Sequence, residues 1–260
     1  MLKMWKEEAW DESSSKAALK QPLKGLKTLP KMEGVTKETS RFLKLKSLYW
    51  MLTQDHDRQV MRGFLTRPFR YGFNYFRSIF KNRSYIRDGD FFLYGIDAID
   101  QFSKAIDHED ALLVVGFSYC HKPFECPSGR FTSHCVNDLK SLVCQQCFIG
   151  KMMTLLPEEK VIPLVIPTVH YIGGKIFEIL HQNPAKKVIF MITACELTLK
   201  MFGDYGNMAG IEGIGVRLDG RICNTMRAFK LSEKGIKPGL TVVLNDTQER
   251  MLNLLRKTWN

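Results

Sequence analysis

Residues 88–260 predict an α/β fold with a mainly parallel, Rossmann-like sheet and helices on both faces. Three observations carry that expectation. Leu112–Phe117, Val161–Ile166 and Lys187–Thr193 are short apolar runs of the kind that strands buried on both faces produce. Segments with apolar residues at helical spacing lie between them. Breakers such as Pro157 mark the joints, and strands alternating with helices favour a parallel sheet joined by crossovers.

The first third of the chain has a different character. Residues 1–87 hold 19 Lys/Arg against 8 Asp/Glu, whereas residues 88–260 hold 19 against 19, so the whole formal charge of +11 belongs to a basic arm (1–87) attached to a neutral cysteine-rich domain (88–260). Residues 11–40, rich in Ser, Lys, Gly, Thr and Pro without a sustained period, read as a linker. Beyond Pro68 the spacing Phe69–Phe73–Phe76–Phe80 predicts an amphipathic helix with an aromatic stripe, flanked by Arg70, Arg77 and Lys81. Such a stripe serves as ordinary core, as an interfacial helix on an anionic membrane, or as a nucleic-acid contact. An anionic membrane surface or a protein partner, met through residues 41–83, is the expected partner, ahead of nucleic acid. No run approaches the roughly 18 apolar residues a spanning helix needs, and the first residues lack a secretory apolar core. The expected location is cytoplasmic, with peripheral membrane association through the arm.

Along the domain, Asp97–Ile106 predicts a helix, Leu112–Phe117 a strand, and Phe148–Leu156 a helix stopped by Pro157. Val161–Ile166 is the next strand despite Pro163, followed by a helix over Lys175–His181, a strand over Lys187–Thr193 and a helix from Cys195 to Phe202. Ile211–Leu218 and Leu240–Leu244 predict further strands, and Gln248–Lys257 a closing helix. In open α/β sheets sites form beyond the carboxyl ends of the strands, where loops converge. Cys120, Cys195 and Cys223 each follow a predicted strand, so three residues spread over 104 positions are expected to meet on one edge, with Thr168 and His170 facing the same crevice.

Five of the seven cysteines fall within 28 residues, from Cys120 to Cys147. The odd count and the expected reducing compartment oppose a disulfide framework. Thiolates are soft ligands suited to zinc, copper(I) or iron–sulfur clusters. The working assignment gives Cys126, Cys135, Cys144 and Cys147 to one fully ligated metal centre. It gives Cys120, Cys195 and Cys223 to a second, a [4Fe–4S] cluster with one iron free to bind substrate. Two alternatives stay open. Zinc on the local four thiolates would make a non-catalytic module that binds nucleic acid or protein through the basic arm. A single centre would leave Cys195 or Cys223 as a free nucleophile or a buried structural thiol. Glu196, at a helix start, is a candidate general acid/base or a simple dipole-compensating residue. His170 is a second catalytic candidate; His121 and His134 are expected near the site without ligating. Gly173-Gly174-Lys175 at a helix start offers an anion cradle or a turn. Gly213-x-Gly215 falls inside a strand, the wrong place for a dinucleotide fingerprint. The expected activity is that of an iron–sulfur enzyme or electron carrier, with the small-molecule substrate unspecified.

The order Tyr119-Cys120-His121, Cys126-Pro127, Cys144-x-x-Cys147, Ile162–Pro167, Ala194-Cys195-Glu196 and Gly215-Val216-x-Leu218 with Cys223-Asn-Thr225 resembles the family catalogued as domain of unknown function 116, over about residues 110–230. The resemblance implies iron–sulfur binding by these cysteines and brings no assigned reaction. Gln145-Gln146 stands where that family has a glycine inside its CxxC, and the glycine pair expected beside Pro167 comes later, at Gly173-Gly174.

Overall fold

The computed structural model describes residues 34–80, 84–157 and 159–257. Residues 11–33 of the expected linker, and Lys81 beside the aromatic stripe, lie outside them.

The core is a six-stranded sheet in the order β1-β2-β6-β5-β3-β4. Four strands are parallel: β3 (Ala111–Ser118), β4 (Val161–Ile166), β5 (Lys187–Ala194) and β6 (Glu212–Arg217). The hairpin β1 (Ile86–Asp88) and β2 (Phe91–Tyr94) extends the sheet antiparallel to β6, turning at Gly89, whose φ of +61° suits glycine. Sequence reasoning named no strand there. Its signal was the Gly89-Asp90 pair ahead of Phe91-Phe92-Leu93-Tyr94, a two-residue hairpin turn.

Helices cover both faces, as expected. On one face α5 (Ile99–Ile106), α7 (Phe148–Leu155) and α11 (Asn245–Lys257) pack on Leu113, Val115, Phe117, Ile189 and Met191. On the other, α8 (Val169–Gln182) packs on Val114, Val188, Phe190 and Ile192, and α9 (Glu196–Ala209) closes over Phe92, Tyr94 and Ala194. The connection from β3 to β4 carries α7 on the first face, and the return to β5 carries α8 on the second. The sheet is therefore doubly wound, and its topological switch falls between β3 and β5.

The segment preceding the sheet forms α1 (Lys37–Ser40), α2 (Leu43–Thr53), α3 (Gln59–Leu65) and α4 (Pro68–Phe80). The last two lie against the body, α3 on α8 and α4 on α9. Two expectations are corrected. The helix expected from Lys175 begins at Val169, six residues earlier, so Gly173 and Gly174 lie inside it and no helix start exists for an anion cradle. A Cβ on them would meet Val60 Cγ2 at 2.8 Å and Gln59 Oε1 at 2.7 Å, so these glycines admit α3. The strand expected at Leu240–Leu244 shrinks to β8 (Thr241–Val242), paired with β7 (Asp219–Gly220) in a separate ribbon. The CxxC does lead into the predicted helix: Cys144 sits inside α6 (Leu142–Gln146), and Cys147 is both the C-cap of α6 and the N-cap of α7. Gly213 and Gly215 do lie in strand β6, where a Cβ on Gly215 would meet Leu199 of α9 at 2.5 Å.

Candidate metal centre

Cys120, Cys195 and Cys223 line one small pocket of about 50 Å³ at the switch point. Local structure delivers each of them. Ser118 ends β3 and its Oγ accepts the Cys120 amide at 3.3 Å, starting the tight turn Tyr119–His121. Cys195 follows β5 as the N-cap of α9, with Sγ 3.2 Å from Thr198 Oγ1. The chain leaves β6, passes through β7 and brings Cys223 back under α10 (Met226–Ser232), 3.4 Å from Ser232 Oγ. Ile166, Ile172, Ile192 and Phe202 supply apolar walls.

The charges in this pocket are set by two residues that sequence reasoning missed. Buried Lys237 donates from Nζ to Cys223 Sγ at 3.0 Å. A hydrogen bond from Cys195, helped by the Lys237 charge and opposed by burial, lowers the Cys223 thiol to about 6, while that same bond and burial push Cys195 well up. Cys223 thus carries the negative charge and Cys195 the proton. Burial works against the Lys237 ammonium, yet Cys120, Cys223 and Cys195 outweigh it and raise its pKa. The second residue is Glu233, whose Oε2 accepts the Val169 amide at 2.9 Å at the start of α8. The residue as a whole is half-buried, but its carboxyl faces inward, and burial pushes it up to about 8 despite that hydrogen bond. At neutral pH it is mostly a proton-bearing acid beside the thiols. A lysine and a glutamate in the polar run Ser232–Gly239 carry no sequence mark of burial.

The second group is local. Cys126, Cys135 and Cys147 all act electrostatically on Lys122, and Cys144 acts on Cys135. The Asn137 amide bonds to the Cys135 sulfur, and the Ile149 and Gly150 amides to that of Cys147 at the start of α7. Burial raises both thiols, and these amides pull them down. Lys122 is buried and organises the loop from within. Its Nζ donates to the carbonyls of Gly129 (3.0 Å), Thr132 (3.1 Å) and His134 (2.6 Å), and to Thr132 Oγ1 (2.8 Å). Arg130 ties this loop to the first pocket. It lies 4.0 Å over the Phe124 ring, its Nε donates to Lys122 O at 3.1 Å, and its two terminal nitrogens donate to the carbonyls of Lys237 and Gly239.

The remaining site residues lie elsewhere. Glu196 opens α9 but turns away from the thiols toward Lys200 (2.8 Å), Arg217 (3.2 Å) and Arg87 (3.4 Å). Burial would raise its carboxyl, but the Lys200 hydrogen bond and the three cations hold it below the ordinary value. It is an ionised hub held by three cations. His170 lines a neighbouring cleft of about 350 Å³ with Trp50 and Asp57, which shares Pro167, Thr168 and Glu233 with the cysteine pocket. His121 stacks 4.7 Å from Phe148 and pairs through Nε2 with Thr193 Oγ1 at 2.9 Å; burial lowers it to about 3, so it stays neutral. His134 contributes its carbonyl to Lys122. All seven cysteines are free thiols, and among the described residues no three His, Cys, Asp or Glu side chains are arranged to hold one metal ion. Comparison with protein-family models, with curated proteins and with solved structures returns no match.

Proposed function

We propose that the chain is an iron–sulfur protein with two thiol centres, one structural or electron-transferring at Cys126, Cys135, Cys144 and Cys147, and one reactive at Cys120, Cys195 and Cys223. The observation that carries this reading is the meeting of the last three cysteines, from three strand ends, in one pocket at the switch point. The reading rests on donor type, since no three of these side chains are drawn together around one point. Thiolates are soft, the Asn137, Ile149 and Gly150 amides bond to the Cys135 and Cys147 sulfurs, and buried Lys237 offsets the charge on Cys223. When bound, a [4Fe–4S] cluster supplies one-electron transfer or, with one iron short of a protein thiolate, a Lewis-acid position.

The residues around it have separable tasks. Lys237 holds negative charge on Cys223 and keeps that sulfur oriented. Glu233 holds a proton on its carboxyl at the pocket wall, in the position of a general acid. Ile166, Ile172, Ile192 and Phe202 exclude water. Thr168 and Glu233, shared with the His170 cleft, mark the side from which a small substrate would approach.

Iron, acid-labile sulfide and zinc, measured per chain after anoxic isolation, test the reading. A brown protein whose iron falls in two separate steps, one on Cys144→Ser with Cys147→Ser and the other on Cys195→Ser with Cys223→Ser, is the expected result. A colourless chain carrying zinc and no iron would replace it with a zinc-stapled binding module.

A further inference from the structure

We infer that α4 is a membrane-docking helix that seats Phe69, Phe73, Phe76 and Phe80 in the interface of an anionic bilayer, with Arg70 and Arg77 at the headgroups. The inference rests on which face of α4 meets the protein. The Tyr71 ring lies 5.2 Å from that of Phe177, and Tyr75 stacks on Tyr205 at 5.8 Å. Ser78 donates to Asp204 at 2.8 Å, and Asn74 to the Met208 carbonyl at 3.3 Å. These residues anchor the helix on the body. The phenylalanine stripe takes no part and points outward, at 93% (Phe69), 69% (Phe73), 64% (Phe76) and 81% (Phe80) exposure. Single exposed apolar side chains are ordinary, but four phenylalanines along one helix ridge form a patch that calls for a partner.

Charge identifies the partner. From Arg58 to Arg87 the chain has eight Lys/Arg and no Asp/Glu. Arg62, Arg67, Arg70 and Arg77 are exposed. An apolar ridge flanked by cations matches acyl chains bordered by anionic headgroups. A second copy of the chain fits poorly, because a two-fold contact through this ridge would set arginines against their own counterparts. At 13 residues α4 is too short to span a bilayer, and among the described residues no helix is long and apolar enough to do so. It would lie along the surface. This inference concerns a different face from the thiol centres and stands apart from their reading.

Co-sedimentation of the full anoxic chain with phosphatidylcholine vesicles, with and without phosphatidylserine, tests it. The chain should pellet with the anionic vesicles, weakly with neutral ones, and less as salt rises. The quadruple variant F69S/F73S/F76S/F80S, whose changes touch only solvent-facing side chains, should keep its circular dichroism spectrum and lose affinity by about tenfold or more. R70E/R77E should lose the preference for anionic lipid. A chain that stays in the supernatant overturns the inference, as does a quadruple variant that still pellets. Loss of a lipid-independent dimer in that variant, or a salt-sensitive RNA shift without vesicle binding, would assign the face to those partners instead.

Discussion

Lys237 donates a hydrogen bond to Cys223 over 3.0 Å inside the protein, making an ammonium–thiolate pair of two residues 14 positions apart. In metal-free, reduced chain the bond from Cys195, with the Lys237 charge beside it, should give Cys223 an alkylation midpoint near pH 6, and Lys237→Met should move that midpoint upward. Residue-resolved mass spectrometry of iodoacetamide adducts reads both. The linkage has a definite sign. A thiol whose folded pKa is depressed stabilises fully above its unfolded value near 9, and loses that contribution as pH falls through 6. The stability gap between the wild type and Cys223→Ala should thus widen as pH rises from 6 to 9.

Glu233 should behave in the opposite sense. Its folded carboxyl is raised from 4.5 to about 8, so the folded state binds more protons than the unfolded state between those values. That contribution is whole below about 4.5 and lost as pH rises toward 8. Glu233→Gln keeps an acceptor for the Val169 amide and cannot ionise. Urea midpoints of the variant should gain on the wild type steadily across this window and run parallel to it at higher pH. Because Cys223 pulls the other way, the difference between the two proteins, and not either curve alone, is the quantity to read.

What the sequence made legible follows from how local each signal is. The parallel strands were visible because β3 and β5 are central and buried on both faces and so read as continuous apolar runs, while β4, an edge strand with Pro163 exposed, kept an apolar run of its own. Strand order then sufficed to place Cys120, Cys195 and Cys223 beyond carboxyl ends, and the pocket contains all three. Lys237 and Glu233 were not visible, since each meets its partner across a fold of the chain, and Lys122 was not, since the loop carbonyls that take its ammonium leave no side-chain signature. The phenylalanine stripe showed its period but not its direction. A helix with Tyr71, Tyr75 and Ser78 on one side and four phenylalanines on the other has two faces capable of packing, and only tertiary contact shows which is used. Gly173-Gly174 misled for a related reason. Glycine weakens a helix intrinsically, yet close approach of Val60 and Gln59 outweighs that cost at those positions.

Arg130 joins the two thiol assemblies, and its removal should be felt in both. Arg130→Ala forfeits the bonds to the carbonyls of Lys122, Lys237 and Gly239 and the contact over Phe124. Bonds from a charged donor each contribute about 1.5–3 kcal/mol and do not add fully, so a loss of about 3 kcal/mol is expected. Hydrogen exchange should rise together in residues 122–135 and 237–240. A rise confined to the first segment would mean that Lys237 is positioned without Arg130.

Two glycine-to-alanine substitutions should change stability in opposite directions, for reasons that packing alone decides. Gly213 lies in β6, opposite Phe190 of β5, and a Cβ there would sit 2.1 Å from the Phe190 carbonyl oxygen. That oxygen belongs to the backbone of a central strand and cannot turn aside as a side chain can. Gly213→Ala should cost about 3 kcal/mol, the upper end of overpacking, by prising β5 and β6 apart. Gly72 lies inside α4, where the nearest atom to a new Cβ is Phe64 Cζ at 4.0 Å. With room available, the gain in helix propensity and the narrower unfolded ensemble should make Gly72→Ala more stable by about 0.5–1 kcal/mol. Paired urea melts decide the matter: equal shifts in both variants would mean that glycine's backbone freedom, and not the crowding at Phe190, governs these positions.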